Sequence, residues 1–246
     1  MMHDSFGLEP RTVHVWGVPI TDPPFPLEVL RAHLSASERD RASRFHFDAD
    51  RLRYVVGRGV LRELLGRYTG AEPGALRFAY GEHGKPAPEG YSELDFNVSH
   101  SGDWVVIGVA RGVAVGVDVE RIRAVSDLEG IVERRFTVSE ASRILALPEP
   151  DRTVAFFTCW TRKEACLKAL GAGLSASLDR FEVSERVDDP CPLKSVAGAP
   201  HHVANWSLWS LVPEPGYLAA VAVESPDFVL RARKWSGLRG VEAWSG

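Results

Sequence analysis

The chain has 246 residues, 45% of them hydrophobic and 25% charged, which suits one large globular domain or two small ones with a sizeable core. Its net charge of −4 gives no global reason to expect nucleic acid or an anionic membrane as partner, so any anion site must be a local patch. No apolar run is long enough to span a bilayer, Met1–Phe6 lacks a basic-then-apolar leader pattern, and three cysteines without metal-ligand or disulfide spacing agree with a reducing compartment; the expectation is a cytoplasmic protein.

Thr12 to Ile20 reads as a first strand, stopped by Pro23, Pro24 and Pro26. Leu27–Leu34 predicts a short helix, and Ser35 or Ser37 can cap the next, Glu38–Arg44. Asp48-Ala49-Asp50 opens a longer helix to about Tyr68, with Leu52, Val55, Val56, Val60, Leu61, Leu64 and Leu65 at apolar positions. Gly57 and Gly59 cost that helix ~1 kcal/mol each against alanine. They are expected to permit close approach of a strand or a ligand. Leu76–Tyr80 predicts a strand, and residues 81–86 a turn-rich loop. Leu94–Val98 predicts another strand, ending in a turn at Ser99-His100-Ser101-Gly102-Asp103. Trp104–Ala110 and Val113–Glu120 predict a hairpin about Arg111-Gly112. Residues 126–130 read as a connector. Ser139–Leu145 and Asp151–Leu170 read as helices, the second ending at Gly171. Strands are expected at Phe181–Val187, Val203–Val212 and Tyr217–Glu224, and the basic tail from Arg231 as a peripheral strand or loose end.

The halves echo each other. Asp50-Arg51 opens a helix that ends Leu64-Leu65-Gly66, and Asp151-Arg152 opens one that ends Ala169-Leu170-Gly171. Trp104–Ala110 resembles Tyr217–Val223 in pattern. The predicted fold class is α+β: two similar α+β subdomains, residues 1–115 and 116–246, in a pseudo-twofold arrangement with a ligand cleft between them.

Chemistry concentrates on one strand. In Val113–Glu120 the valines point one way, while Ala114, Gly116, Asp118 and Glu120 point the other. Two carboxylates then stand roughly 6–7 Å apart on one face. They repel unless a cation or donors sit between them. A hard divalent ion with oxygen ligands answers that need, and a salt-bridged sheet edge is the competing reading. Glu164, on the second long helix, projects between Phe157 and Trp160, with Lys168 one turn on. Taken alone, that pair reads equally as a surface i, i+4 ion pair worth ~0.3–0.5 kcal/mol.

Val115-Gly116-Val117-Asp118-Val119-Glu120, followed by Trp160-Thr161-Arg162-Lys163-Glu164-Ala165-Cys166-Leu167-Lys168, resembles the two-part signature of the 4′-phosphopantetheinyl transferases. Gly84-Lys85-Pro86 and Phe96-Asn97-Val98-Ser99-His100-Ser101-Gly102 add two upstream blocks, in the order and spacing of the larger, pseudo-dimeric Sfp-type branch. The resemblance implies transfer of the phosphopantetheine arm of coenzyme A to a serine of an apo carrier protein, with release of adenosine 3′,5′-bisphosphate. It implies that Asp118, Glu120 and Glu164 hold Mg²⁺, that Glu164 or a water beside it takes the serine proton, and that Lys168 contacts the pyrophosphate. It places Arg53, Lys85, Ser99 and His100 at the 3′-phosphate, with Gly84 and Pro86 against the adenine. Apart from the family, His100 reads as a turn cap, Arg53 as a solvated charge, Asn97 as fixing the turn, Lys163 as structural and Trp160 as core. The family's basic residue ahead of the first long helix falls on Glu38, with Arg39, Arg41 and Arg44 as candidate substitutes. Arg121, Arg123, Arg134 and Arg135 are the basic candidates for docking an acidic carrier. The expected partners are coenzyme A and carriers of polyketide or nonribosomal peptide assembly, and a duplicated chain is expected to act as a monomer. The rival functions are a non-catalytic module that binds coenzyme A or a carrier, and an Mg²⁺ phosphohydrolase.

Overall fold

The structure, a computed structural model, describes residues 6–81, 84–171, 177–197, 200–236 and 240–244. In chain order the elements are β1 (Thr12–Pro19), α1 (Leu27–His33), α2 (Ala36–Ser43), α3 (Asp48–Thr69), β2 (Phe78–Tyr80), β3 (Pro86–Pro88), β4 (Leu94–Ser101), β5 (Trp104–Arg111) and β6 (Val115–Arg121). There follow α4 (Leu128–Arg135), α5 (Val138–Leu145), α6 (Asp151–Leu170), β7 (Phe181–Val183), β8 (Leu193–Val196), β9 (Ser207–Leu211), β10 (Tyr217–Val223), β11 (Val229–Ser236) and β12 (Gly240–Ala243). The class is mixed α+β, as expected. Among the described residues no helix is long and apolar enough to cross a membrane.

Side-chain alternation sorts the strands into layers. One sheet runs β12-β11-β1-β5-β4 and another β6-β10-β9. Trp16, Val18, Val105, Ile107 and Val109 face the helices α1 and α3, while Val13, Val15, Val106 and Ala110 face the second sheet. The second sheet answers with Val115, Val117 and Val119 of β6 and Tyr217, Ala219, Val221 and Val223 of β10. Its other face, with Leu218, Ala220 and Ala222, packs on α6. The layers therefore run helices, sheet, sheet, helices. Gly116 lets α6 lie directly on β6: a Cβ there would come within 1.9 Å of the Ala165 carbonyl oxygen. Gly59 meets helix α1, with Leu30 2.7 Å from such a Cβ, whereas Gly57 lies in ordinary contact with Val105 of β5.

Several expected boundaries are corrected. β5 and β6 form no hairpin. β5 pairs with β1 and β4, and β6 pairs with β10. The valine face of β6 must be buried, and it is buried on top of the first sheet, where Gly108 faces Val115 and Val117. Ser99, His100 and Ser101 continue β4, so the turn is only Gly102-Asp103. The connector at 126–130 runs into α4, whose Leu128 and Val132 bury one face. The expected strand Phe181–Val187 stops at Val183, and the one expected from Val203 begins at Ser207 after a 3₁₀ turn. The basic tail is an integral strand: β11 lies parallel to β1, with Thr12 opposite Val229, so the far end of the chain completes the first sheet.

One stabilising device occurs in both halves. Ser35 caps α2 in a capping box with Glu38, whose carboxylate also takes Arg62 Nε at 2.6 Å and Arg58 Nη2 at 2.5 Å. Arg62 then donates to the carbonyls of Pro73 and Leu76, beyond its own helix. In the second half Thr137 caps α5 with Glu140, whose carboxylate takes Lys163 Nζ at 2.6 Å. Lys163 donates onward to the carbonyls of Leu178 and Phe181. A box-forming glutamate on a short helix thus grips a buried cation on the following long helix, which in turn ties down the chain after that helix. Lys163 is therefore structural. So is Glu38, which lies inside this network and faces no anion site.

Lys163 and Glu140 are both fully buried. Glu140→Ala is expected to leave an uncompensated buried ammonium and to cost about 3–5 kcal/mol of unfolding free energy, read as a lowered urea midpoint at unchanged slope.

Candidate active site

The site lies where the edge strands β4 and β6 meet. No backbone ladder joins them. Side chains do: Asp95, Asn97, Ser99 and Ser101 accept from the amides of Val115, Val117, Val119 and Arg121, at 2.7, 3.0, 3.3 and 3.1 Å. Alternate residues of β4 thus serve alternate amides of β6 in one constant register. Asn97 belongs to this seam and not to a turn. Lys85 joins it too, bonding Asp95 Oδ2 at 2.7 Å and the Val115 carbonyl at 3.1 Å.

The outward face of β6 carries the acids. Asp118 is 5% exposed. Its Oδ1 accepts from Ser99 Oγ at 2.8 Å and from Lys168 Nζ at 2.7 Å. Its Oδ2 is buried and, among the described residues, has no hydrogen-bond partner. Lys168 also donates to Ser99 Oγ at 3.2 Å and the Val117 carbonyl at 3.1 Å, so its ion pair is with the strand acid rather than with Glu164. Glu120 Oε2 accepts from Ser101 Oγ at 2.8 Å and Arg123 Nη1 at 3.3 Å. Half-buried Glu164 faces both strand acids from α6. Burial, and after it the Asp118 charge, pushes its carboxyl above the usual range. Burial pushes Asp118 up as well, against the pull of Lys168 and the Ser99 hydrogen bond.

The three acids thus share one neighbourhood with a deficit of positive charge. Among the described residues, no group of three or more acidic, histidine or cysteine side chains is placed so that it could hold a metal ion. What the residues provide is a hard oxygen donor set, one orphaned buried oxygen, and mutual repulsion that a divalent cation would relieve. They fit Mg²⁺.

Beside the acids lies a cavity of about 780 Å³, within the range of small-ligand sites. Arg41, Arg53, Arg58, His100, Arg121 and Arg123 line it, with Tyr54 and Gly57. Arg53 is braced by Asp50 at 2.7 Å and the Gly102 carbonyl at 3.0 Å. Arg41 lies 5.4 Å from the centre of the Tyr54 ring. Among the candidate substitutes near Glu38, Arg41 alone lines this cavity: Arg44 pairs with Asp40 and Arg39 bonds the Leu34 carbonyl. Of the other expected nucleotide contacts, Arg53 and His100 reach the cavity, Ser99 turns to Asp118, and Gly84, Lys85 and Pro86 stand outside the lining. The basic cluster after Glu120 divides. Arg121 and Arg123 line the cavity, Arg134 pairs with Asp127 at 3.0 Å, and Arg135 acts on Glu164. Trp160 packs against Phe136 and Phe156, as core.

Tyr54, Arg121 and Arg123 escape a motif-based reading because their place in the lining follows only from the layer packing. A raised carboxyl pKa means that stability is fully present below the ordinary pKa and is lost as pH rises through the raised value. Glu164→Gln is therefore expected to melt higher than the parent chain at about pH 7.5 without divalent ions. That advantage should shrink as pH falls through the raised value, where the parent carboxyl gains its proton; paired thermal melts across pH read the difference.

Comparison with known proteins bears on this site. A family model described as the 4′-phosphopantetheinyl transferase superfamily matches residues 114–222, and one described as 4′-phosphopantetheinyl transferase, N-terminal, matches residues 24–111. The chain is 39% identical to 4′-phosphopantetheinyl transferase HetI of Nostoc sp., over 86% of this chain and 87% of that one. It is 32% identical to 4′-phosphopantetheinyl transferase ffp of Bacillus subtilis, over 81% and 86% of the two chains. With 4′-phosphopantetheinyl transferase Sfp of Bacillus subtilis (strain 168) the identity is 30%, over 82% and 87%.

Proposed function

Because the chain belongs to the 4′-phosphopantetheinyl transferase superfamily, we propose that its arginine-lined cavity holds coenzyme A beside an Mg²⁺ gripped by Asp118, Glu120 and Glu164. The chain is a phosphopantetheinyl transferase acting on carrier proteins. The serine oxygen of an apo carrier attacks the β-phosphorus of coenzyme A, the bond from that phosphorus to the bridging oxygen breaks, and adenosine 3′,5′-bisphosphate leaves. The single observation that carries the site assignment is the buried Asp118 Oδ2, without a hydrogen-bond partner among the described residues, on β6, the strand whose Arg121 lines the cavity with Arg41, Arg53, Arg58, Arg123 and His100.

When bound, the ion offsets charge that builds on the diphosphate as the bond breaks. The chain's own residues do the rest. Arg41 and Arg53 present planar forks suited to bidentate contact with the 3′-phosphate, and His100 adds a ring N–H. Lys168, once Asp118 has another counter-charge, has an ammonium free for a phosphate oxygen. Glu164, with its raised carboxyl, is suited to take the serine proton directly or through a water. Lys85 acts by closing the seam beneath the site.

The division into a nucleotide-side part, 1–115, and a metal-side part, 116–246, is supported by the cavity residues each contributes, while β11 and β12 of the second part return to the sheet of the first. The capping-box network found in both halves supports reading them as copies of one unit. Both walls of the site come from one chain, which supports action as a monomer. Carriers of polyketide or nonribosomal peptide assembly are the proposed substrates, and the cytoplasm the proposed compartment.

Incubation with coenzyme A, Mg²⁺ and a panel of apo carriers is expected to add the mass of one phosphopantetheine group. Asp118→Asn and Glu164→Gln should each lower kcat/KM by more than the roughly 10–100-fold that losing an outer-shell partner costs. Transfer at parental rates in both variants would remove the metal assignment, and phosphate release without an acceptor would favour a hydrolase. Arg41→Ala is expected to raise KM for coenzyme A about tenfold, the scale of a lost charged hydrogen bond, and to leave KM for 3′-dephospho-coenzyme A unchanged in steady-state assays.

A further inference from the structure

The seam between β4 and β6 has four rungs, and two of them do more than the others. Asp95 accepts from a β6 amide and from Lys85, Asn97 accepts from a β6 amide, and neither bonds an acid of the site. Ser99 and Ser101 accept from an amide and also bond the carboxylate one residue before that amide. A hydroxyl has one proton and two lone pairs. Ser99 Oγ takes the Val119 amide and the Lys168 ammonium, which fill both lone pairs and leave its proton for Asp118 Oδ1. Ser101 Oγ takes the Arg121 amide, so its proton goes to Glu120 Oε2. The backbone of β6 thus aims each hydroxyl at the acid it carries. In both cases one carboxylate oxygen is tied down: Oδ1 of Asp118, shared with Lys168, and Oε2 of Glu120, shared with Arg123. Among the described residues, Asp118 Oδ2 is left without a partner.

We infer that Ser101, together with Ser99, is a positioning residue for the divalent-ion site: its proton fixes one oxygen of the strand acid so that the other is held ready for the ion. The inference rests on the metal assignment proposed above. It makes assembly of the seam and of the ion site one event, because a β6 displaced along β4 loses amide and acid contacts together.

The test separates the acid contact from the seam. Ser101→Ala removes both a rung and a carboxylate contact, whereas Asn97→Ala removes only a rung. Mn²⁺ is titrated into the intact chain saturated with coenzyme A, and bound ion is counted by electron paramagnetic resonance. Ser101→Ala is expected to weaken Mn²⁺ binding about tenfold, and Ser101→Thr, which keeps the hydroxyl, to restore it to within about twofold. Asn97→Ala should lower the melting temperature and leave Mn²⁺ affinity unchanged. Parental Mn²⁺ affinity in Ser101→Ala, or equal weakening in Asn97→Ala, would overturn the inference. If the parent chain binds no Mn²⁺ yet still loads a carrier, the metal assignment itself falls and takes the inference with it.

Discussion

Asp118 is a buried carboxylate with one oxygen answered and the other, among the described residues, not. That imbalance sets the character of the site. A charge taken out of water must find a partner or lose its ionisation, and burial already pulls Asp118 toward the neutral form. Lys168 supplies half of the answer from the neighbouring helix, while Glu164, on the same helix, makes the shortfall larger. The fold spends stability here and recovers it elsewhere, in valine faces sealed between two sheets and in fully satisfied buried ion pairs away from the cavity. Under the proposed metal assignment, a transferase that gathers a diphosphate and a cation gains from a site that is electrostatically incomplete on its own.

The close packing of helix on strand makes this possible. Gly116 removes the side chain that would hold α6 away from β6, and the acids of the two elements are brought to face each other as a result. The glycine and the carboxylates are one arrangement: alternation on β6 places Gly116 and Asp118 on the same face, with the first admitting the helix and the second meeting its side chains. Lys168 then reaches down through the gap to the strand, taking a backbone carbonyl along with its carboxylate.

The acid strand was legible because strand period two is a strong signal: the valines did point to a core, and Asp118 with Glu120 did point away from it. The helix wheel set Glu164 toward an apolar side with Lys168 on the same face, but taken alone it favoured a surface ion pair, and the family signature is what placed both at a site. What a wheel could not show was that Lys168 pairs across to β6 instead of along its own helix. The hairpin at Arg111-Gly112 was misread because turn composition says only that the chain reverses, not whether the next strand joins the sheet or lies upon it. Ser99-His100-Ser101 has the composition of a turn. It is a strand because its serines satisfy amides twenty positions later, a long-range contact that no local window contains. Glu38 read only as a gap in an anion site: its capping box with Ser35 went unread, and the arginines it grips lie on the next helix. Cys159 and Cys166 were correctly bland: both are buried, with thiols pushed far from reactivity.

The placement of β11 beside β1 has a consequence for biosynthesis. β1 leaves the ribosome long before β11, and all eight of its residues end up buried, so one of its two neighbours is made well after it. Until that strand emerges, the nascent chain carries an apolar ribbon with one open hydrogen-bonding edge, the kind of surface that invites wrong pairing and chaperone capture. Closure of the first sheet therefore waits for synthesis of β11, and a chain cut short before Val229 would leave β1 with no parallel partner.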